Sequence, residues 1–246
     1  MPKTGDECSR RSYGKGVYHV LDAYRLNYKK MKDIAIYGAG GYGREVACII
    51  RRINEVNAEW NFIGFIDDGV AAGDSTEYGK VLGGMDFINS YAEELALVIP
   101  IGNPSVIQKI IDAIDNDLIS YPNIVDPDVF FLDSNSVKMG KGNVFSPKAL
   151  VSCNVVIGDF NLFNMNGGIG HDVTIGNCNT FMPNVNISGG VVIGDRNLFG
   201  VKSTMCQYLT MGNDNQVAAQ SLIIRNAKDG FTYVGIPAIP VSKNKE

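Results

Sequence analysis

His171 stands in the stretch GIGHDVTIG, residues 168–176, and is one of two histidines in a chain of 246 residues. An imidazole with its ordinary pKa of about 6.5 can take up a proton at neutral pH, and an adjacent carboxylate favours the imidazolium so formed. Asp172 is such a carboxylate. Gly189 follows His171 by eighteen residues, and its backbone N–H, unhindered by a side chain, suits a developing oxyanion. Cys153 precedes His171 by the same interval, so the two side chains are expected to come close. A Cys–His pair can make a nucleophile, and an inert corner cysteine is the other reading. The second histidine, His19, lies in a polar, basic opening segment and has no comparable setting.

A second cluster lies near the start of the chain. DIAIYGAGGYGREVACIIRRIN reads as an apolar strand, a glycine turn and an amphipathic helix, with Gly38, Gly40 and Gly43 in G-x-G-x-x-G spacing. Such a turn lets the backbone approach a phosphate or sugar, and the N–H groups at the helix start favour anions. NFIGFIDD reads as a second strand ending in Asp67 and Asp68, carboxylates that could accept hydrogen bonds from a ribose or a base. LALVIPIG, ending at Gly102, leads into another helix, NPSVIQKIIDAI. This alternation predicts a small parallel α/β sheet. About ninety residues is half of a two-winged dinucleotide fold. The turn thus admits three readings: an NAD site, a site for another nucleotide-linked ligand, or a turn with no ligand.

The elements that hold His171 are set by a repeat. From Met139 to Ile223 every sixth residue is apolar, fifteen positions without a miss in a chain that is 45% hydrophobic. A stricter period of eighteen is nested within it. MG or IG begins at 139, 157, 175, 193 and 211, asparagine follows at 143, 161, 179, 197 and 215, and phenylalanine at 145, 163, 181 and 199. Six residues make a short strand and a corner, and three such units close one triangular coil of a hexapeptide β-helix. Coils stack about 4.8 Å apart, so each column becomes a ladder of like residues. The phenylalanine and isoleucine columns are expected to fill the prism, the asparagines to exchange side-chain hydrogen bonds, and the coils to number about five. His171, two places past the inward Ile169, should point outward at a corner.

Composition narrows the class. A net charge of −4 argues against a dedicated nucleic-acid binder, and no apolar run reaches the 18 residues needed to span a membrane. The 28 glycines suggest many tight turns. Five scattered cysteines without a C-x-x-C pair, and only two histidines, suggest a reduced cytoplasmic protein without structural metal. Residues 1–30 lack a signal peptide's apolar core and read as a loosely ordered extension. The expected organisation is that extension, a Rossmann-like domain over 31–121, and a β-helix with a C-terminal tail over 122–246.

YGAGGYG, FIDD and PIGNP in the first domain, the unbroken hexapeptide repeat with GHDVTIG, and the ending YVGIPA together resemble bacterial sugar acetyltransferases of the left-handed β-helix class. The nearest groups are the N-acetyltransferases acting on UDP-4-amino-sugars and the sialic-acid O-acetyltransferases, and the resemblance covers roughly residues 31–240. It implies an α/β domain followed by a left-handed parallel β-helix, a homotrimer, and acetyl-CoA bound between neighbouring prisms with the sugar nucleotide against the α/β domain. Carried over by position, the base falls on His171, its helper on Asp172, a further catalytic asparagine on Asn164, and the acyl-carbonyl N–H on Gly189. Coenzyme contacts fall on Thr180, Gly189, Val201 and Ala219, and sugar-nucleotide contacts on Gly40, Gly41, Tyr42, Asp67, Asp68 and Gly102.

Three positions depart from that pattern. Tyr42 and Thr180 stand where relatives often have histidines, and Ile239 replaces a basic residue, though Lys243 and Lys245 could supply charge to coenzyme phosphates. The implied activity is acetyl transfer from acetyl-CoA to the amine of a nucleotide-linked amino sugar. O-acetylation of a sugar hydroxyl, as on a sialic acid, and a non-catalytic sugar-nucleotide-binding trimer are the alternatives. The same base serves amine and hydroxyl alike.

Overall fold

A computed structural model of the chain describes residues 31–244. The expected extension over 1–30, with His19 and Cys8, and Lys245 all lie outside the described residues. The first part is an α/β sheet built from β1 (Lys32–Tyr37), β2 (Trp60–Ile66), β3 (Ser75–Thr76), β4 (Gly79–Gly83), β5 (Leu95–Val98) and β6 (Ile119–Ser120), in the order β3-β4-β2-β1-β5-β6. All neighbours pair in parallel except β3 with β4. Three helices connect the strands: α1 (Gly41–Val56), α2 (Met85–Ser90) and α3 (Pro104–Ala113). The β1 and β5 runs IAIY and LALV are buried, as strands covered on both faces must be. The chain leaves β1 toward β2 on one side and enters β5 on the other. The crevice at their C-terminal ends is therefore a topological switch point, with the glycine turn and Gly102 beside it.

From Ile124 the chain forms a left-handed parallel β-helix of two-residue strands. From Met139 to Ile223 each pairs in parallel with the strand eighteen residues away, giving Phe145–Phe163–Phe181–Phe199 on one face and Ile169–Ile187–Met205–Ile223 on the next. The four phenylalanine rings stack with centroids 4.4, 4.9 and 5.0 Å apart. The asparagine column is fully buried. Asn179, for example, donates to Asn161 Oδ1 and to Gly194 O, and its own Oδ1 accepts the N–H and Nδ2–H of Asn197.

Two features of the prism depart from the regular repeat. It has one coil before the even period starts at Met139, because Ile124–Val125 and Phe130–Phe131 pair with Val144–Phe145 and Leu150–Val151 twenty residues later. The two additional residues are taken up around a 3₁₀ turn at Ser134–Ser136, which breaks the count of six. Most of the repeat's glycines, moreover, are not its left-handed turns, and only Gly142 (φ 71°) and Gly190 (φ 68°) occupy such corners among the described residues. Twelve corners between 148 and 220 hold non-glycine residues with φ of 55° to 62°. Gly158, Gly176 and Gly194 are instead needed because a Cβ there would come within 2.6–2.9 Å of the carbonyl oxygen of the coil above.

The α/β sheet is fastened to the first coils of the prism. Arg52 on α1 pairs with the buried Asp126 (2.7 Å) and with Asp128 (2.8 Å). Tyr42 OH lies 3.3 Å from Ser146 Oγ. These contacts fix the glycine turn against the face that carries the phenylalanine column.

Candidate active site

His171 sits at the corner that follows the Ile169 strand, and its side chain is half exposed. Nδ1 lies 2.7 Å from Asp172 Oδ2. With Nδ1–H donating to that carboxylate, Nε2 keeps its lone pair for a substrate proton. The second oxygen of Asp172 accepts from Asn154 Nδ2 at 3.1 Å. These bonds, from His171 first and Asn154 next, hold the Asp172 carboxyl below the usual carboxylate range. Asp172 occupies a left-handed corner (φ 59°), a conformation that a short polar side chain tolerates.

Gly189 lies directly beneath the imidazole. A Cβ at this position would fall 2.5 Å from Nε2 and 2.6 Å from Cε1 of His171. Its carbonyl accepts from Tyr208 N–H (3.0 Å), and its own N–H makes no hydrogen bond among the described residues. Cys153, one coil before His171, bonds to other groups. Cys153 Sγ turns to Ser152 Oγ (3.9 Å), its carbonyl accepts the N–H of Asp172 (3.0 Å), and no bond joins it to the imidazole among the described residues. Asn154 is the side chain from that coil that reaches the pair. It was legible only as the residue eighteen places before Asp172.

The second group assembles elsewhere. Gly38 turns with φ 106°, and Gly43 packs so tightly that a Cβ would lie 1.9 Å from Gly38 O, whereas Gly40 and Gly41 border open space. The first turn of α1 has neither a capping side chain nor an acidic residue, so its N–H groups remain open to an anion. α3, by contrast, is capped by Asn103, which accepts from Ser105 N–H at 3.1 Å. Tyr42, Gly102, Leu162, Asn164, Thr180 and Met182 line a cavity of about 80 Å³ between the turn and the prism. Burial pushes the Tyr42 phenol up to about 12, so it is a neutral donor here. Thr180 is 3% exposed and its Oγ1 has no partner among the described residues.

Asp67 and Asp68, expected as acceptors for a ribose or base, also bind the chain around them. Asp67 takes the N–H groups of Ala39 and Gly69, each at 2.9 Å, and Asp68 takes the Tyr37 hydroxyl and Met85 N–H (2.8 Å). Their four oxygens already serve the turn and the start of α2. The short polar links brace the crevice, which no spacing in the sequence reveals.

The site residues fall on two corners of one prism. Asn164, Val201 and Ala219 follow the phenylalanine-column strands, and Thr180 lies on one of them. His171 and Gly189 follow the isoleucine-column strands. One side of the prism, six residues or on the order of 15–20 Å at a strand's rise, separates the two sets. Asn164 and Thr180 therefore join the Tyr42 cavity and not the imidazole of the same chain.

Fold and site together define a two-part molecule, a sheet with a nucleotide-type crevice and a prism with a base at its corner. Residues 33–114 match the PglD N-terminal domain family. No curated protein matches the chain. The acetyltransferase domain of PglB from Neisseria gonorrhoeae is similar with a TM-score of 0.78 at 24% identity, over 85% of this chain and all of that one. WeeI from Acinetobacter baumannii gives 0.77 at 27%, over 86% of this chain and all of WeeI. PerB from Caulobacter crescentus, in complex with CoA and GDP-perosamine, gives 0.71 at 22%, over 85% of this chain and 97% of PerB. The resemblance read from the sequence is thereby borne out: the chain has the architecture of the bacterial sugar acetyltransferases of the hexapeptide class.

Proposed function

We propose that this protein transfers the acetyl group of acetyl-CoA to the amine of a nucleotide-linked amino sugar. The observation that carries the reading is the His171–Asp172 pair with Nε2 poised over Gly189. Acetyl-CoA is already an activated thioester, so no enzyme nucleophile is needed. The acceptor amine attacks the thioester carbonyl and forms the C–N bond. His171 Nε2 takes the proton that the nitrogen sheds, and Gly189 N–H donates to the oxyanion of the tetrahedral intermediate. The C–S bond then breaks, the electron pair leaves with sulfur, and the imidazolium returns its proton to the thiolate. Asp172 orients the ring and balances its charge, and Asn154 holds Asp172. The sugar nucleotide is taken by the α1 start at Gly40 and Gly41, with Tyr42 and Gly102 beside it and Asp67 and Asp68 shaping the turn. PerB, of the same fold, is described with CoA and GDP-perosamine together, which supports the pairing of donor and acceptor.

The working unit is a homotrimer with each site shared between two copies. What supports this is the division of the candidate residues between two corners: one copy supplies His171, Asp172 and Gly189, and its neighbour supplies Asn164, Thr180, Val201 and Ala219. A contact between unlike corners closes into a ring when three copies meet. No helix among the described residues is long and apolar enough to cross a membrane. The scattered cysteines suit a reducing cytoplasm.

The test is thiol release from acetyl-CoA by the full chain, wild type against His171→Ala, over a panel of nucleotide-linked 4-amino-sugars and free sialic acid. One amino sugar should stimulate release, and the variant should lose that stimulation by about 100-fold or more, the scale of general-base catalysis. Unaltered stimulated release in a folded variant would overturn the mechanism, and stimulation by sialic acid alone would move the reading to O-acetylation.

A further inference from the structure

The strand Thr180–Phe181 turns Phe181 into the prism and Thr180 outward, onto the face that the α/β sheet covers. The column neighbours of Thr180 are Leu162 and Leu198, one coil to either side. Leu162 is 1% exposed and packs into the core of the sheet. Thr180 is buried almost as deeply, and its Oγ1 has no hydrogen-bond partner among the described residues. A buried hydroxyl without a partner is costly, and a valine of the same outline would sit between the two leucines without that cost. The hydroxyl therefore calls for a partner that the chain itself does not supply.

Thr180 borders the cavity of about 80 Å³ under the glycine turn. Leu162 and Met182 give this space apolar walls. Two other polar side chains on it are already engaged. Tyr42 OH faces Ser146 Oγ at 3.3 Å, and Asn164 Oδ1 accepts the N–H of Met165 at 2.7 Å. At roughly 30 Å³ for each group the size of water, the space takes two or three such groups, so one edge of a sugar ring fits and a whole ring does not. Burial also separates Thr180 from the coenzyme contacts with which the resemblance grouped it. Val201 is 40% exposed at an open corner, whereas Thr180 lies between the prism and the sheet that carries the glycine turn. That is the side of the acceptor. A 4-amino-sugar has a hydroxyl on carbon 3, next to its amine, and an edge that brings the amine toward the neighbouring copy's base brings this hydroxyl with it.

We infer that Thr180 Oγ1 hydrogen-bonds the hydroxyl beside the acceptor's amine, and that the protein thereby selects amino sugars that carry it. This rests on the proposed acetyl transfer and adds an acceptor-selecting residue to it. The test uses the full chain, acetyl-CoA, and the UDP-linked 4-amino-sugar that best stimulates thiol release, together with the 3-deoxy form of that sugar. Wild type should favour the hydroxyl-bearing sugar by about tenfold to 100-fold in kcat/KM, the scale of one buried group left unpaired. Thr180→Val should lose or reverse this preference. The parent sugar then meets no partner, while the 3-deoxy sugar regains most of its loss because both polar groups are gone. Thr180→Ser, which keeps the hydroxyl, should keep the preference. The KM for acetyl-CoA should stay at its wild-type value in Thr180→Val, and that variant should melt no lower than wild type. If no nucleotide-linked 4-amino-sugar stimulates release, the transfer reading falls and this inference with it. If one does, and wild type and Thr180→Val discriminate alike, only the inference falls. A raised KM for acetyl-CoA in Thr180→Val would put the hydroxyl on the donor, and a lowered melting temperature would give it a partner within the protein. Either result would overturn the inference.

Discussion

An added methyl group at Gly189 would occupy the space that the His171 ring already fills, 2.5 Å from Nε2. The displaced group would be the far end of a half-exposed side chain and not backbone, so the fold can absorb the change by swinging the imidazole outward. That movement would take Nε2 away from Gly189 and lengthen the bond from Nδ1 to Asp172. Gly189→Ala is therefore expected to melt within a few degrees of wild type while kcat falls about 100-fold, as misplacement of a reacting group by about an ångström can do. A variant with normal kcat would mean that the ring's seat on Gly189 has no part in catalysis. Asp172 does not limit this chemistry at moderately acid pH. A carboxyl held below its usual range stays charged until the pH falls through its lowered pKa, and the stability it contributes is present above the ordinary carboxylate pKa and lost as the pH falls from there through the lowered one.

Among the elements, the asparagine ladder ties coil to coil. Asn179 is wholly buried, and removing its amide leaves the N–H and Nδ2–H of Asn197, the carbonyl of Gly194 and one bond of Asn161 Oδ1 without that partner. Each buried group left unpaired costs about 1–3 kcal/mol. Asn179→Ala should then lower stability to guanidinium by at least about 3 kcal/mol, and a loss under 1 kcal/mol would show that water replaces the amide. This ladder was legible because stacking forces like residues into one column, and a column is a period in the sequence. The coil at Ile124–Phe131 was hidden where two additional residues around Ser134–Ser136 break the period. In the α/β sheet the glycine turn and its place between β1 and β5 could be read from strand–turn–helix order. The internal bonds of Asp67 and Asp68, the link from Asn154 to Asp172 and the open hydroxyl of Thr180 could not. They depend on which groups folding brings within 3 Å, and residue type alone does not fix that.

At the scale of the whole molecule, the proposed homotrimer answers the separation of the two corners. A proton acceptor must stand within hydrogen-bond reach of the attacking nitrogen. The cavity of Tyr42, Asn164 and Thr180 belongs to one corner and His171 to the next, with a side of the prism between them. In the proposed homotrimer a second copy, docked with its own His171 corner against the first copy's cavity, would bring the two sets together, and repetition of that contact would close a ring. Sharing has a consequence that a one-chain site lacks. Chains carrying His171→Ala still offer an intact cavity, and chains carrying Asn164→Ala still offer an intact base. In trimers formed by co-expressing equal amounts of the two, each site draws one corner from each of two neighbours, and about one site in four receives both intact corners by random assembly. Acetyl transfer by the mixed protein should therefore recover to about a quarter of the wild-type rate, although either variant alone is nearly inactive. Recovery should vanish when both substitutions are placed in every chain. A mixed protein no more active than its parents would return the whole site to a single chain and require the sheet and the His171 corner to approach each other during the reaction.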